Sequence, residues 1–147
     1  MTKDTGINQN FFTILMADDD PDDRFIAEQA FLELGFFGEL RFVKDGEELM
    51  HYLRRSGKYS DPLLSSRPTF ILLDLNMPKK HGWQALVEIK ADPDLQDIPV
   101  VIWTTSKETE DTVRFQKTGA DVFVTKPADY GNLLNSLHEL VAKYCFS

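Results

Sequence analysis

The clearest strand signal in this chain is the apolar run FILL at residues 70–73, which stops at the carboxylate of Asp74. Apolar residues in unbroken succession are typical of a strand that is covered on both faces. Similar runs stand at 13–17 (TILMA), 100–103 (VVIW) and 122–124 (VFV), and a weaker one lies at 40–43. Strands of this kind indicate a parallel sheet with helices packed against each side.

The segments between these runs carry helix signals. Asp20 followed by Pro21 is a helix cap with proline in the first helical position, and Gly35 ends the helix that begins there. The residues expected to form the buried stripe of this helix are Phe25, Ile26, Ala30 and Leu34. The other predicted helices lie at about 45–54, 83–89 and 106–119, and from about 129 onward.

Strand and helix therefore alternate five times, which predicts the fold class. We expect an α/β domain with a doubly wound, five-stranded parallel sheet of the flavodoxin-like (βα)5 type, in strand order 2-1-3-4-5. Residues 12–147 should form this single domain, preceded by a flexible lead-in at 1–11 and with no output domain. In such folds, ligands bind at the carboxyl ends of the strands, beside the switch between strands 1 and 3.

Composition narrows the classes of partner. The chain of 147 residues has 24 acidic and 16 basic side chains, a net charge of −8, which is a poor match to direct nucleic-acid binding. No apolar run is long enough to cross a bilayer, so we expect no membrane partner and a cytoplasmic location. The single cysteine, Cys145, excludes an internal disulfide.

Polar residues cluster where the predicted strands end. Asp18 and Asp19 follow strand 1, Asp74 follows strand 3, Thr104 ends strand 4 and Lys126 follows strand 5. Three converging carboxylates raise one another's pKa, and a bound cation relieves that repulsion. Oxygen ligands favour Mg²⁺. With a carboxylate nucleophile, a lysine and a hydroxyl beside the metal, the set is equipped for phosphoryl transfer.

Four segments resemble a known family, the receiver domains of two-component response regulators. They are ILMADDD at 14–20, LLDLNMP at 72–78, VIWTT at 101–105 and TKP at 125–127. The resemblance covers residues 12–145. It implies that Asp74 accepts a phosphoryl group from a sensor histidine kinase. It also implies that the protein is not an enzyme, apart from catalysing its own phosphorylation and dephosphorylation.

The resemblance also implies roles for the remaining site residues. The metal would be Mg²⁺, with Mn²⁺ as a substitute. Asp74, Asp19 and the backbone carbonyl of Asn76 would bind it, with Asp19 as a direct ligand. Asp18 would act largely through water. Thr104 would be the switch hydroxyl and Lys126 the lysine that pairs with Asp74 and then with the phosphoryl group. Phe123 would be the switch aromatic, although an aromatic here fits a plain core residue equally well. The Lys126–Pro127 bond is expected to be cis.

Within the family, the chain is similar to the stand-alone receivers that serve bacterial phytochromes. The likeness lies in residues 67–80, 93–95 and 98–101, and in the long loop after the second helix. It implies a phytochrome-type kinase as partner and a homodimer through the predicted helix at 106–119 (helix 4), the strand at 122–124 (strand 5) and the helix from about 129 (helix 5). Thr105 departs from the family pattern of Ala or Gly, and its larger side chain is expected to slow access to Asp74.

Other interpretations remain open on the residues alone. The acids at 18–20, 22 and 23 are also what a helix N-terminus favours, and Asp22 and Asp23 are expected to have only that role. A calcium loop starting at Asp18 fails, because Asp23 stands at its required glycine and Gln29 at its required glutamate. An aspartyl-phosphate phosphatase of the haloacid dehalogenase type would use Asp18 and Asp20, and a receiver-like module without phosphorylation is the third alternative.

Overall fold

The computed structural model describes residues 12–36, 38–75, 77, 82–104 and 121–145. Its strands are β1 (Phe12–Ala17), β2 (Gly38–Val43), β3 (Phe70–Leu73), β4 (Val100–Thr104) and β5 (Val122–Thr125). Its α-helices are α1 (Pro21–Glu33), α2 (Gly46–Arg54), α3 (Gly82–Ala91) and α4 (Tyr130–Cys145), with short 3-10 turns at Gly57–Tyr59 and Pro62–Leu64. The predicted lead-in at 1–11 and the predicted helix at 106–119 lie outside the described residues.

The five strands form one parallel sheet in the order β2-β1-β3-β4-β5, as the sequence predicts. Ala17 of β1 pairs with Leu73 of β3, which in turn pairs with Ile102 of β4. The order reverses direction beside β1, because β2 lies on one side of it and β3 on the other. Residues that follow β1 and β3 therefore emerge side by side at the edge of the sheet where ligands bind in such folds.

Two hydrophobic cores lie on opposite faces of the sheet. In one core, α2 and α3 pack against strand residues such as Leu15, Ile71 and Leu73. In the other, α1 and α4 pack against strand residues such as Ile14 and Leu72. All four residues of β3 are fully buried, which explains why its apolar run shows no alternation. None of the helices in the described ranges is long and apolar enough to span a bilayer.

The caps of the first two helices follow the sequence signals. The Asp20 carboxylate accepts a hydrogen bond from the Asp22 amide at 2.9 Å, and Pro21 occupies the first helical position. At α2 the Asp45 carboxylate accepts from the Glu48 amide at 2.7 Å, while the Glu48 carboxylate accepts from the Lys44 amide at 2.8 Å. This pair is a variant of the capping box in which Glu48 accepts from the amide that precedes the cap residue instead of from that of the cap residue itself.

The buried stripe predicted for α1 is wrong in part. Phe25 is 61% exposed and Ile26 42% exposed, whereas Ala27, Ala30 and Phe31 are buried. Apolar residues surround much of this helix, so local spacing alone does not identify its inner face. Small alanines allow the helix to approach the sheet closely, and the stripe of 27, 30, 31 and the half-buried 34 has regular helical spacing.

Candidate functional site

The carboxylates of Asp18 and Asp74 lie next to each other because the backbone ladder continues past the strand ends. The Asp18 amide donates to the carbonyl of Val43 at 3.0 Å, and the Asp74 amide donates to the carbonyl of Ala17 at 3.0 Å. Each aspartate is thus tied to the neighbouring strand by its own backbone. Their side chains emerge at the switch point that the strand order creates.

Asp18 is held by two further hydrogen bonds, one from the β1–α1 loop and one from α1. Its carboxylate accepts a hydrogen bond from the Asp20 amide at 2.9 Å, and its carbonyl accepts one from the Arg24 side chain at 2.8 Å. The same guanidinium lies over the ring of Phe42, 5.8 Å from the centroid. Arg24 therefore fixes the backbone of an acidic site residue, a role that the sequence interpretation did not assign.

Gly82 lets the first turn of α3 approach the backbone of Asp74. A methyl group at this position would lie 2.7 Å from the Asp74 carbonyl oxygen and 2.8 Å from Cα of Leu75. Both distances are shorter than non-bonded carbon and oxygen atoms tolerate, so only glycine permits this approach without a shift of backbone. The position of Asp74 thus depends on packing from the helix side as well as from the sheet.

Asp18, Asp19 and Asp74 form a set of carboxylates that fits a divalent cation. One oxygen from each lies within 4.8 Å of the others. Asp18 is fully buried and Asp74 is 7% exposed, whereas Asp19 is exposed and leaves one side of the set open to water. Hard oxygen ligands with an open side suit a cation that retains several waters. Asn76, whose carbonyl is the fourth expected ligand, lies outside the described residues.

Lys126 joins the acidic site from the end of β5. Its ammonium lies 2.8 Å from a carboxylate oxygen of Asp18, 2.9 Å from one of Asp23 and 3.3 Å from one of Asp74. Its side chain is 10% exposed, and its backbone amide donates to the carbonyl of Thr104 at 2.7 Å. The Lys126–Pro127 bond is trans, as is every peptide bond among the described residues, so the expected cis bond is wrong.

Asp23, like Arg24, has a role at the site that the sequence interpretation does not assign. It was expected to act only as a helix-start acid, yet its carboxylate pairs with Lys126, which is 103 positions away in the chain. The sequence signal that could have revealed this contact is the short distance along the chain between Asp18 and the start of α1. Only two residues separate Asp18 from the first residue of α1, so the first turn of that helix lies over the strand ends.

Burial and charge shift the pKa values of Asp18 and Lys126 upward. Burial raises the pKa of the Asp18 carboxyl above its usual 3.8 and the charge of Asp74 adds to this, while hydrogen bonds from Lys126 and Asp20 oppose it without cancelling it. Burial alone would lower the pKa of the Lys126 ammonium below 10.5. Hydrogen bonds to Asp18 and Asp23 and the charge of Asp74 outweigh it and raise the pKa. Lys126 therefore stays protonated at neutral pH.

Thr104 and Phe123 lie on the two strands at the other end of the sheet. Thr104 is the last residue of β4, is fully buried, and pairs with Thr125 of β5. Phe123 is half-buried and packs against the core on the α2 and α3 side. The structure thus brings the acidic residues and Lys126 into direct contact, and it places Thr104 at the end of the strand between them.

Comparison with known proteins establishes the family to which the chain belongs. Residues 14–138 match the family model described as the response regulator receiver domain. The chain belongs to this family. Receiver domains of this kind take phosphoryl groups from sensor histidine kinases.

Particular relatives are response regulators, one of which is described as a phytochrome response regulator. Response regulator Rcp1 of Synechocystis sp. is 36% identical over 120 residues, covering 82% of this chain and 80% of that protein. The crystal structure of the phosphorylated cyanobacterial phytochrome response regulator RcpA has a TM-score of 0.85 at 34% identity, covering 92% of this chain and 95% of that one. The Mn²⁺-bound form of Rcp1 has a TM-score of 0.83 at 32% identity, with coverage of 92% and 96%.

Proposed function

We propose that Asp74 is the phosphoryl acceptor of this receiver and that a sensor histidine kinase supplies the phosphoryl group. The observation that supports this most is the pairing of its carboxylate with the Lys126 ammonium at 3.3 Å, within a set of three carboxylates at the switch point of the sheet. Asp74 belongs both to the set of three carboxylates and to the partners of Lys126. A nucleophile there has cationic groups available on both flanks.

In the proposed reaction, a carboxylate oxygen of Asp74 attacks the phosphorus of the kinase's phosphohistidine. A P–O bond forms as the P–N bond breaks, and the imidazole leaves as a neutral group after taking up a proton. The Lys126 ammonium, already beside Asp74, neutralises charge on one phosphoryl oxygen. The Thr104 hydroxyl binds another oxygen, which draws the end of β4 toward the site.

The cation of the site is proposed to be Mg²⁺, with Mn²⁺ able to replace it. Asp18, Asp19, Asp74 and the backbone carbonyl of Asn76 are the residues that would bind it. When bound, the cation supplies positive charge to the transferring phosphoryl group. Small phosphodonors then suffice for phosphorylation without a kinase, and water at the same site removes the phosphoryl group again.

The signal is proposed to leave through the far side of the sheet. A shift of Thr104 toward the phosphoryl group opens space for the Phe123 ring to turn inward, and this changes the surface formed by β5 and the helices beside it. A homodimer through that surface is the readout we favour. Residues 12–147 act as one receiver domain in this proposal, and the protein works in the cytoplasm, where kinases present their phosphohistidines.

A phytochrome-type kinase is the proposed partner, on the strength of the similarity to Rcp1 and RcpA. Phosphotransfer from a purified, autophosphorylated bacterial phytochrome kinase tests this directly. We expect transfer within seconds to minutes that is much faster than from a kinase of an unrelated pathway at equal concentration. Equal rates from both kinases would contradict the phytochrome assignment while leaving the acceptor role intact.

The acceptor role is tested with acetyl phosphate, with and without Mg²⁺, by intact-protein mass spectrometry. We expect one phosphoryl group on the parent protein in Mg²⁺ and none on Asp74→Asn, whereas Asp97→Asn in the exposed loop after α3 should be labelled like the parent. Undiminished labelling of Asp74→Asn would overturn the proposal. Steady hydrolysis of phosphate monoesters that is lost in Asp18→Asn but retained in Asp74→Asn would favour a phosphatase instead.

A further inference from the structure

Lys126 carries a third carboxylate partner that phosphoryl transfer to Asp74 does not require. An ammonium has three N–H donors, and all three have an acidic partner here, namely Asp18, Asp23 and Asp74. The bond to Asp23 is 2.9 Å long, which is 0.4 Å shorter than the 3.3 Å bond to Asp74. The ammonium therefore lies closer to the α1 side of the site than to the acceptor.

We propose that Asp23 is a positioning residue that holds the Lys126 ammonium away from Asp74 and thereby limits the rate of phosphorylation. This inference rests on the proposed function of Asp74. Asp23 belongs to the first turn of α1, which is fixed by the Asp20 cap, and its side chain is 35% exposed. Asp23 binds the same ammonium as Asp18 and Asp74. It is not itself one of the three carboxylates that fit a cation, which are Asp18, Asp19 and Asp74.

The consequence follows from the number of donors. During transfer, the phosphoryl oxygens need an N–H group of Lys126, and the ammonium must move toward Asp74 to provide it. Because the Asp23 carboxylate lies 2.9 Å from the ammonium, this movement weakens the hydrogen bond between them. Asp23 also adds one negative charge beside a pocket that an anionic phosphodonor must enter. The first effect slows phosphorylation through Lys126. The second does not depend on Lys126, so a variant without the ammonium and the loss of the neighbouring Asp22 charge separate it from the proposed positioning.

The chain offers a closely matched control in the neighbouring residue. Asp22 occupies the same helical turn and carries the same charge, but its carboxylate is not among the Lys126 partners in the described part of the chain. Asp22→Asn and Asp23→Asn therefore lose the same net charge and a similar interaction with the helix dipole. Any difference between the two variants isolates the contact with Lys126.

The test measures the rate of phosphorylation by acetyl phosphate in Mg²⁺, with Trp103 fluorescence as the optical signal, since this buried indole precedes Thr104. We expect Asp23→Asn to react about three- to tenfold faster than the parent, and Asp22→Asn to change by less than about twofold. Asp23→Glu, which can restore the ion pair, should return the rate toward the parent value. Thermal unfolding verifies that the variants are folded.

A double-mutant cycle with Lys126→Ala distinguishes positioning from a general electrostatic effect. If Asp23 acts through Lys126, Asp23→Asn has no effect on the residual rate in the Lys126→Ala background. Persistence of the acceleration there, equal acceleration by Asp22→Asn, or a slower Asp23→Asn protein would each overturn the inference. These outcomes leave the acceptor role untouched, because that role fails only if Asp74→Asn is still phosphorylated.

Discussion

Replacement of Lys126 by methionine should destabilise the metal-free protein strongly. The substitution keeps most of the aliphatic side chain but removes the ammonium from Asp18, Asp23 and Asp74. Loss of one partner from a buried ion pair costs about 3–5 kcal/mol. Asp23 is 35% exposed and its charge is partly solvated, so the lower end of that range, about 3 kcal/mol, is the expected loss. For a chain of this length, that corresponds to a fall in Tm of roughly 6–12 °C.

Divalent cation should reduce this loss. Without the ammonium, the carboxylates of Asp18 and Asp74 lose a neighbouring positive charge. We therefore expect Mg²⁺ to bind the variant more tightly than the parent. A tenfold gain in affinity recovers about 1.4 kcal/mol of the difference in the free energy of unfolding. Lys58→Met is the control, because Lys58 is 71% exposed and its pairing with Glu48 is remote from the metal-binding carboxylates.

The assay is thermal unfolding followed by circular dichroism, in EDTA and then in excess Mg²⁺. We expect a large gap between parent and Lys126→Met in EDTA that narrows in Mg²⁺, and a small gap for Lys58→Met that Mg²⁺ does not change. Equal Tm values for parent and Lys126→Met in EDTA, or a gap that is insensitive to Mg²⁺, would refute the reasoning that Lys126 and a cation neutralise the same carboxylates.

Three further predictions concern single positions. Burial acts to raise the pKa of Glu48, but hydrogen bonds from its neighbours lower it below 4.5. Glu48→Gln should therefore cost about 1 kcal/mol at pH 7 in urea unfolding. The difference should begin to shrink below pH 4.5 and disappear as the pH falls through the lower pKa of the folded protein. Gly82→Ala should destabilise by about 1–3 kcal/mol and weaken Mg²⁺ binding by displacing Asp74, whereas Gly131→Ala, which meets only a flexible side chain, should cost little. Thr105→Ala should phosphorylate and dephosphorylate about two- to tenfold faster in the acetyl phosphate assay, and unchanged rates would remove the expected steric role of Thr105.

The sheet and its order were predictable because their signals are local. Unbroken apolar runs such as 70–73 mark strands covered on both faces, and five alternations of strand and helix leave few topologies. The same topology then brings together polar residues that follow different strands. Asp18, Asp74 and Lys126 could be expected to meet for that reason, although they are far apart in the chain.

What the sequence did not reveal depends on packing and on distant contacts. Sequence does not identify the inner face of α1, because Phe25 and Ile26 are as apolar as the buried Ala27, Ala30 and Phe31. Which of these residues is buried depends on how the helix packs against the sheet. Asp23 has the local signature of a helix-start acid, whereas its bond to Lys126 is set by the tertiary fold.

Phosphotransfer from a purified sensor histidine kinase, followed by mapping of the modified residue, tests the central claim most directly. Reduction of the acyl phosphate with borohydride before proteolysis converts a labile group into a stable mark that tandem mass spectrometry can locate. We predict that the mark lies on Asp74, that it requires a divalent cation, and that Asp74→Asn accepts nothing from the same kinase. A mark on Asp18, Asp19 or any other residue of the parent protein, with Asp74 unmodified, would contradict the account.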